Sequence, residues 1–320
     1  MAKTRSKPRS PTALADDPAV LATPEGARAL SDALASGDAK RVALAAERIA
    51  AHVLTGHEDS LAAAYRAFAG AGATRDPGCH AKEALIIALD ACEHVDAALF
   101  AEASRCVQRE QAKGHARDVG ARVRARGVLA LARTGHVDAL AIFGAALGDA
   151  DATVRLSAAR AVAHREQRDG AGLLLLRLGA GDGEPEVLRT CLQGLFAVAP
   201  DLAVPAAAAL LEGDDARARE LALSALGTAP SDQAVTLLSD QLAEVALADD
   251  RKAVIDALGL SLRPLARRVL LALLESERAT DAQAALEALA IHRYDPRVVE
   301  QVRAATASVP ALARLAAALF

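Results

Sequence analysis

Apolar positions along the chain return in one fixed figure about every 31 to 33 residues. Taking Ala161 as an anchor, Ala130 precedes it, and Gly194, Ala225, Ala257 and Ala288 follow. One residue after these anchors stand Leu131, Val162, Leu195, Leu226, Leu258 and Leu289. Three before stand Gly127, Ala158, Cys191, Ala222, Val254 and Ala285, and two before stand Val128, Ala159, Leu192, Leu223, Ile255 and Leu286. Positions −3, −2, 0 and +1 share one face of a helix with 3.6 residues per turn, so each copy predicts a helix with a narrow buried stripe. An earlier copy fits around Ala88, with Leu85, Ile86 and Leu89, after a longer interval. A helix pair of this length cannot bury its own stripe, and the regular return predicts a stack in which neighbours bury it for one another.

Breakers and caps set the predicted elements, among them Gly135-His136, Gly148-Asp149, Gly181-Asp182-Gly183, Pro200-Asp201, Gly213-Asp214 and Pro230-Ser231-Asp232. The predicted helix pairs are 24–35 with 38–54, 58–70 with 77–93, 95–111 with 117–133, and 137–147 with 151–164. Then come 170–179 with 185–198, 202–211 with 215–228, 231–245 with 249–262, and 263–276 with 280–292, and 296–307 with 309–319 closes the array. Thr23 and Pro24 read as the cap and first residue of the opening helix. Residues 1–22 hold Pro8, Pro11 and Pro18 with four Lys or Arg and no apolar period, which predicts a disordered basic tail ahead of the array at 23–320.

Composition sharpens this picture. The 320 residues include two Tyr, five Phe, one Met and no Trp, and Ala and Leu supply the bulk. Both are strong helix formers, and small Ala side chains let helices approach closely. The formal net charge of −4 argues against a general nucleic-acid binder, which is usually basic over a whole domain. No apolar run reaches the roughly 20 residues that span a bilayer, and the N-terminal segment lacks the apolar stretch of a secretory signal. Cys79, Cys92, Cys106 and Cys191 form no Cys-x-x-Cys pair and no disulfide spacing, and Cys191 stands where other copies carry a small buried residue. A cytoplasmic setting is the expectation.

The copies resemble HEAT repeats, and in particular the short HEAT-like repeats of the phycobilisome-lyase type. Asp149, Asp151, Val154, Arg155, Ala158, Ala159, Ala161 and Val162 carry the resemblance most fully. Asp214, Ala218, Arg219, Ala222, Ala225, Leu226 and Gly227 repeat it, as do Asp249, Arg251, Ala257, Leu258 and Gly259. It covers about residues 76–292. It implies an all-α fold, an α-solenoid (right-handed superhelix) of about eight HEAT-like helix pairs, and a binding role rather than an enzymatic one.

Six residues before the anchors stand Lys82, Arg124, Arg155, Leu188, Arg219, Arg251 and Ala282. In HEAT repeats this cationic position commonly pairs with an acidic turn residue of the next repeat. The alternative is a cationic strip that faces a ligand. Between Arg105 and Arg133 eight Lys or Arg oppose only Glu110 and Asp118, and this segment fills the long interval between the anchors at 88 and 130. Inserted loops on a rigid scaffold often carry function. A solvated basic face with no specific ligand is the plainer reading of this segment; should it take a ligand, Lys82, Arg117, Arg122, Arg124, Arg126, Arg155, Arg219 and Arg251 are the candidate partner-binding residues, and an acidic protein surface or a phosphate group fits best, with a protein the expected partner.

Other chemistry finds little support. Cys79, His80, Cys92, His94 and Cys106 lack zinc-ligand spacing, so no metal or cofactor is expected. In Asp76-Pro77-Gly78-Cys79, the capping and proline residues place Cys79 in a first helical turn near Lys82, two effects that lower a thiol pKa; an ordinary partly buried cysteine is the leading reading and a reactive thiol the alternative. No nucleophile elbow, phosphate loop or dinucleotide fingerprint is visible. Capping accounts for Asp149, Asp182, Asp201 and Asp232. A scaffold for a partner protein is the leading expectation. The alternative is a nucleic-acid-binding protein of DNA-glycosylase-like architecture using the Arg105–Arg133 region, which would need aromatic side chains around an extruded base. A bilin-lyase relative is the weakest reading.

Overall fold

The computed structural model describes residues 16–112 and 114–320. They form two compact units, Met1–Arg165 and Glu166–Phe320. Most of the expected tail lies outside the described residues. Its last part does not follow the expectation, because Pro18–Leu21 form a helical turn, α1, capped by Asp17 and anchored by buried Leu21.

In the first unit the pairs are α2 (Pro24–Ala35) with α3 (Ala39–His52), α4 (Glu58–Ala69) with α5 (His80–Ala91), α6 (Ala97–Ala103) with α7 (Ala121–Ala132), and α8 (Ala139–Leu147) with α9 (Ala152–His164). The second unit holds α10 (Ala171–Ala180) with α11 (Pro185–Val198), α12 (Pro200–Glu212) with α13 (Ala216–Thr228), α14 (Asp232–Glu244) with α15 (Ala248–Leu260), α16 (Pro264–Leu273) with α17 (Ala279–Leu289), and α18 (Pro296–Thr306) with α19 (Pro310–Leu319). Thr23 caps α2 by accepting from the Gly26 amide, with Pro24 opening the helix.

The stripe is the core. In unit one, α3 packs on α5, α5 on α7 and α7 on α9; in unit two, α11 packs on α13, α13 on α15 and α15 on α17. Leu85, Ile86, Ala88, Leu89, Val128, Ala130, Leu131, Ala158, Ala159 and Ala161 are all 0 % exposed. Cys191, Leu192, Leu195, Ala222, Leu226, Ile255 and Leu258 are equally closed in unit two. Each fully buried Leu contributes about 1.5–3 kcal/mol relative to an exposed one. Two glycines permit the close approach. A Cβ on Gly127 would lie 2.6 Å from the Ser104 amide nitrogen, and one on Gly227 would lie 2.4 Å from the Ala257 carbonyl oxygen.

The expected pair 95–111 with 117–133 is the main departure. Helix α6 stops at Ala103, and Arg109–Ala112 (β1) pairs antiparallel with His115–Asp118 (β2), with Ala112 opposite His115. Helical capping gives way here because residues 106–118 carry no apolar face to bury, and Gly114 at φ +87° accommodates the reversal. The 77–93 helix also begins later than expected. Pro77–Cys79 form a 3₁₀ turn, and α5 proper starts at His80.

Candidate functional site

The hairpin is seated on the first unit through a buried polar network. Asp76, fully buried, caps α5 from outside the helix, accepting from the Ala81 and Lys82 amides at 3.0 Å each. Lys82 is 2 % exposed, and its Nζ donates to Gln108 Oε1. Gln108 Nε2 donates to the Asp76 carbonyl at 2.8 Å and to Glu110 Oε1 at 2.6 Å. The Gly78 amide donates to the same Glu110 oxygen at 2.8 Å. The network thus ties the turn before α5 to the base of the hairpin. Hydrogen bonds from Gly78 and Gln108 hold the Glu110 carboxyl below its ordinary pKa.

At the hairpin's other end, Asp118 accepts from the Gly120 amide at 2.9 Å and from Arg124 Nη1 at 2.6 Å. Burial pushes the Asp118 carboxyl up, but the Gly120 amide and the Arg124 guanidinium outweigh it and leave the pKa lowered. Arg124 also donates to the Cys106 carbonyl at 2.9 Å and forks onto Asp149 at 2.8 and 3.0 Å. Asp149 is therefore an ion-pair partner for the preceding repeat, while Asp151 caps α9. Asp182, Asp201 and Asp232 likewise pair with Arg177, Arg168 and Arg263, so capping alone does not account for these carboxylates.

The cationic ladder divides. Lys82 and Arg124 are buried in the network, and Arg251 forks onto Asp281 at 2.6–3.1 Å while donating to the Val245 carbonyl at 2.8 Å. These three side chains are held internally, at odds with a partner-facing role, because the next turn supplies an acceptor that burial makes obligatory. Arg155 is half-buried and donates to the carbonyls of Asp149 and Ala150. Arg219 is exposed and shares a cleft of about 210 Å³ with Asp250. Arg117, Arg122 and Arg126 are exposed, the last two reaching toward Glu83 at 3.6 and 4.0 Å. Arg105 and Arg109 are exposed too. The structure brings Lys82, Arg124 and Arg155 into one network, and leaves Arg122 and Arg126 exposed on α7 beside Glu83 and Arg117 exposed on β2. Arg219 and Arg251 belong to the second unit.

Sequence reasoning missed Gln108 and Glu110, which join the hairpin to the turn before α5. The signal available was the lack of a helical apolar period between Cys106 and Asp118. Beside the network lies a cleft of about 640 Å³, lined by Tyr65, Lys82, Glu102, Arg105, Cys106 and Gln108 among others. Cys79 is 0 % exposed, at φ +59°, as an ordinary buried cysteine would be, and lacks the lowered thiol pKa of the reactive alternative. Its hydrogen bond to Cys106 and its burial push that pKa up. Among the described residues no group of three or more His, Cys, Asp or Glu is placed to hold a metal ion. No helix among them is long and apolar enough to cross a membrane.

No family model and no curated protein matches the chain. Among solved structures, importin beta, a HEAT-repeat solenoid, superposes over 93 % of this chain with a TM-score of 0.52 at 15 % identity. The fold is thus a HEAT-like α-solenoid. The chain spans less than half of that protein, whose covered share is 45 %. The CpcE–CpcF complex of phycocyanin lyase from Nostoc sp. PCC7120 aligns over 78 % of this chain and 91 % of its own, at 18 % identity. Its TM-score of 0.40 carries no argument about chemistry.

Proposed function

We propose that the protein is a cytoplasmic, non-enzymatic scaffold that holds a partner protein with an acidic surface. The contact surface comprises the exposed Arg122 and Arg126 of α7 and the exposed Arg117 of the hairpin. One observation carries this reading: the described cations of the Arg105–Arg133 region are sorted, with Arg124 buried in ion pairs and Arg117, Arg122 and Arg126 left exposed. A fixed group of exposed guanidiniums suits carboxylate recognition, because each presents a planar fork of donors. Four free thiols fit a reducing compartment. The nucleic-acid alternative has less support, since the first unit's Tyr65, Phe68, Phe100 and Phe143 are at most 1 % exposed and cannot stack on a base, and the exposed Tyr294 belongs to the second unit, far in sequence from the Arg105–Arg133 region.

The test is a triple charge reversal, Arg117→Glu, Arg122→Glu and Arg126→Glu, with Arg124 retained so that the buried pairs survive. Captured proteins from source lysate are compared with those on the wild-type bait, with and without nuclease, after circular dichroism has confirmed helicity. The expected outcome is a protein retained by the wild type, insensitive to nuclease and reduced at least about tenfold on the variant. An identical set of captured proteins on both baits would refute the assignment. Capture abolished by nuclease would transfer it to nucleic acid.

A further inference from the structure

The cleft of about 640 Å³ beside the hairpin is lined by buried donors that the protein leaves unused. Lys82 lines it at 2 % exposure. Its ammonium donates to Gln108 Oε1 and makes no ion pair among the described residues. An ammonium carries three donors, and a charge taken out of water is costly unless a counter-charge meets it. The carboxylates of the adjoining network do not close on it. Asp76 accepts from the Ala81 and Lys82 amides, and Glu110 accepts from the Gly78 amide and Gln108 Nε2.

Tyr65 lines the same cleft at 1 % exposure. Its hydroxyl has no hydrogen-bond partner among the described residues, yet it is not sealed from solvent. A buried phenol normally finds a partner, and what remains accessible of this one opens on the cleft. Burial, with Cys106 and Glu102, pushes its pKa up, so it stays a donor at neutral pH. Arg105 and Arg109 line the cleft as exposed residues, with the exposed Glu102 as the carboxylate among them. Arg105 donates from Nη1 to the Ala101 carbonyl at 3.2 Å, which leaves the rest of its guanidinium open.

We propose that this cleft binds the phosphate group of a small ligand, free phosphate or a small phosphate monoester, with Lys82 and Tyr65 as the deep donors and Arg105 and Arg109 at the rim. An ammonium is a point charge with donors in three directions, and a phenol adds one more. That set suits a tetrahedral oxyanion, whereas a planar carboxylate is matched by the fork of a guanidinium. Donors this enclosed admit a small ligand rather than the face of a protein. The volume lies within the range of small-molecule sites, about 300–1,000 Å³. It leaves room beyond a phosphate group for an organic part, with Glu102 available to accept from its hydroxyls. The site shares no residue with the Arg117, Arg122 and Arg126 surface and does not depend on it.

The chain has two tyrosines and no tryptophan. Tyr294→Phe, an exposed change in the second unit, therefore leaves Tyr65 as the fluorescent reporter of the cleft. This full-length protein is titrated with inorganic phosphate, glycerol 3-phosphate and succinate, with sodium chloride holding ionic strength constant. Inorganic phosphate is expected to change Tyr65 emission saturably, with a Kd on the order of 1 mM, and succinate to bind at least about tenfold more weakly. Tighter binding of glycerol 3-phosphate would assign the ligand as a monoester, and equal or weaker binding would assign free phosphate. Arg105→Ala should weaken phosphate binding about two- to fivefold, and Lys82→Met at least about tenfold, in variants whose helicity circular dichroism has confirmed. A response to phosphate that does not saturate, or succinate bound as tightly as phosphate, would overturn the proposal with the cleft residues intact, whatever the variants' folding. So would unchanged phosphate affinity in both variants.

Discussion

The two units use the same repeat and reach different ends with it. The first buries Tyr65, Phe68, Phe100 and Phe143, and interrupts one helix pair with a hairpin fastened by Lys82, Gln108, Asp118 and Arg124. The second unit is helical throughout its described residues, its core is mostly Ala, Leu and Val with Phe196 as the large exception, and its ladder positions split between a paired Arg251 and an open Arg219. An arginine six residues before the anchor is therefore not a function. It becomes a structural pin where a neighbouring turn offers a buried carboxylate, as Asp149 and Asp281 do, and a surface charge where none closes on it. Arg219 and Asp250 show the second case: they line one cleft without an ion pair among the described residues.

The largest expected effect tests that division directly. Arg124→Met leaves Asp118 and Asp149 without their cation, and Arg251→Met strands Asp281, which is 2 % exposed. Removing one partner of a buried pair costs about 3–5 kcal/mol. Hydrogen exchange read peptide by peptide should show Arg124→Met weakening protection only in the first unit and Arg251→Met only in the second. A loss below about 1 kcal/mol at both sites would make the pins ordinary surface pairs and erase the contrast.

Acid should loosen the base of the hairpin. The Asp118 carboxyl has a folded pKa below its unfolded value. Its contribution is thus fully present above about pH 4 and lost as pH falls through the lower folded value. Asp118 is partly exposed, its side chain retaining 31 % of its accessibility, so the contribution is below about 1 kcal/mol after solvent screening. Amide exchange at residues 109–120 should accelerate between about pH 4 and 2, and Asp118→Asn should flatten that dependence. Acceleration unchanged by Asp118→Asn would place the acid sensitivity elsewhere.

The smallest effect is expected at the open position. Arg219→Ala should change stability by no more than about 0.5 kcal/mol in chemical denaturation, as exposed substitutions commonly do. A cost comparable with that of Arg251→Met would show that Arg219 is pinned in solution and that both units treat the ladder alike.

The period of the buried stripe, the helix pairs and the caps were legible in the chain because they are local properties. An anchor such as Ala161 and its neighbours at −3, −2 and +1 share a helical face wherever that helix is placed. The open cations Arg117, Arg122 and Arg126 were nameable too, though not separable from Arg124, two residues away from each of the last pair. That separation depends on which side of α7 meets the next repeat, and on carboxylates brought from Asp118 and Asp149. The meeting of Lys82 with Gln108 joins residues 26 positions apart through the stacking of the repeats. The sequence alone determined a HEAT-like stack and its apolar seam, since periodicity needs only the helix. Tertiary structure decided which charges are pins and which remain open, since burial and proximity exist only once the repeats have closed on one another.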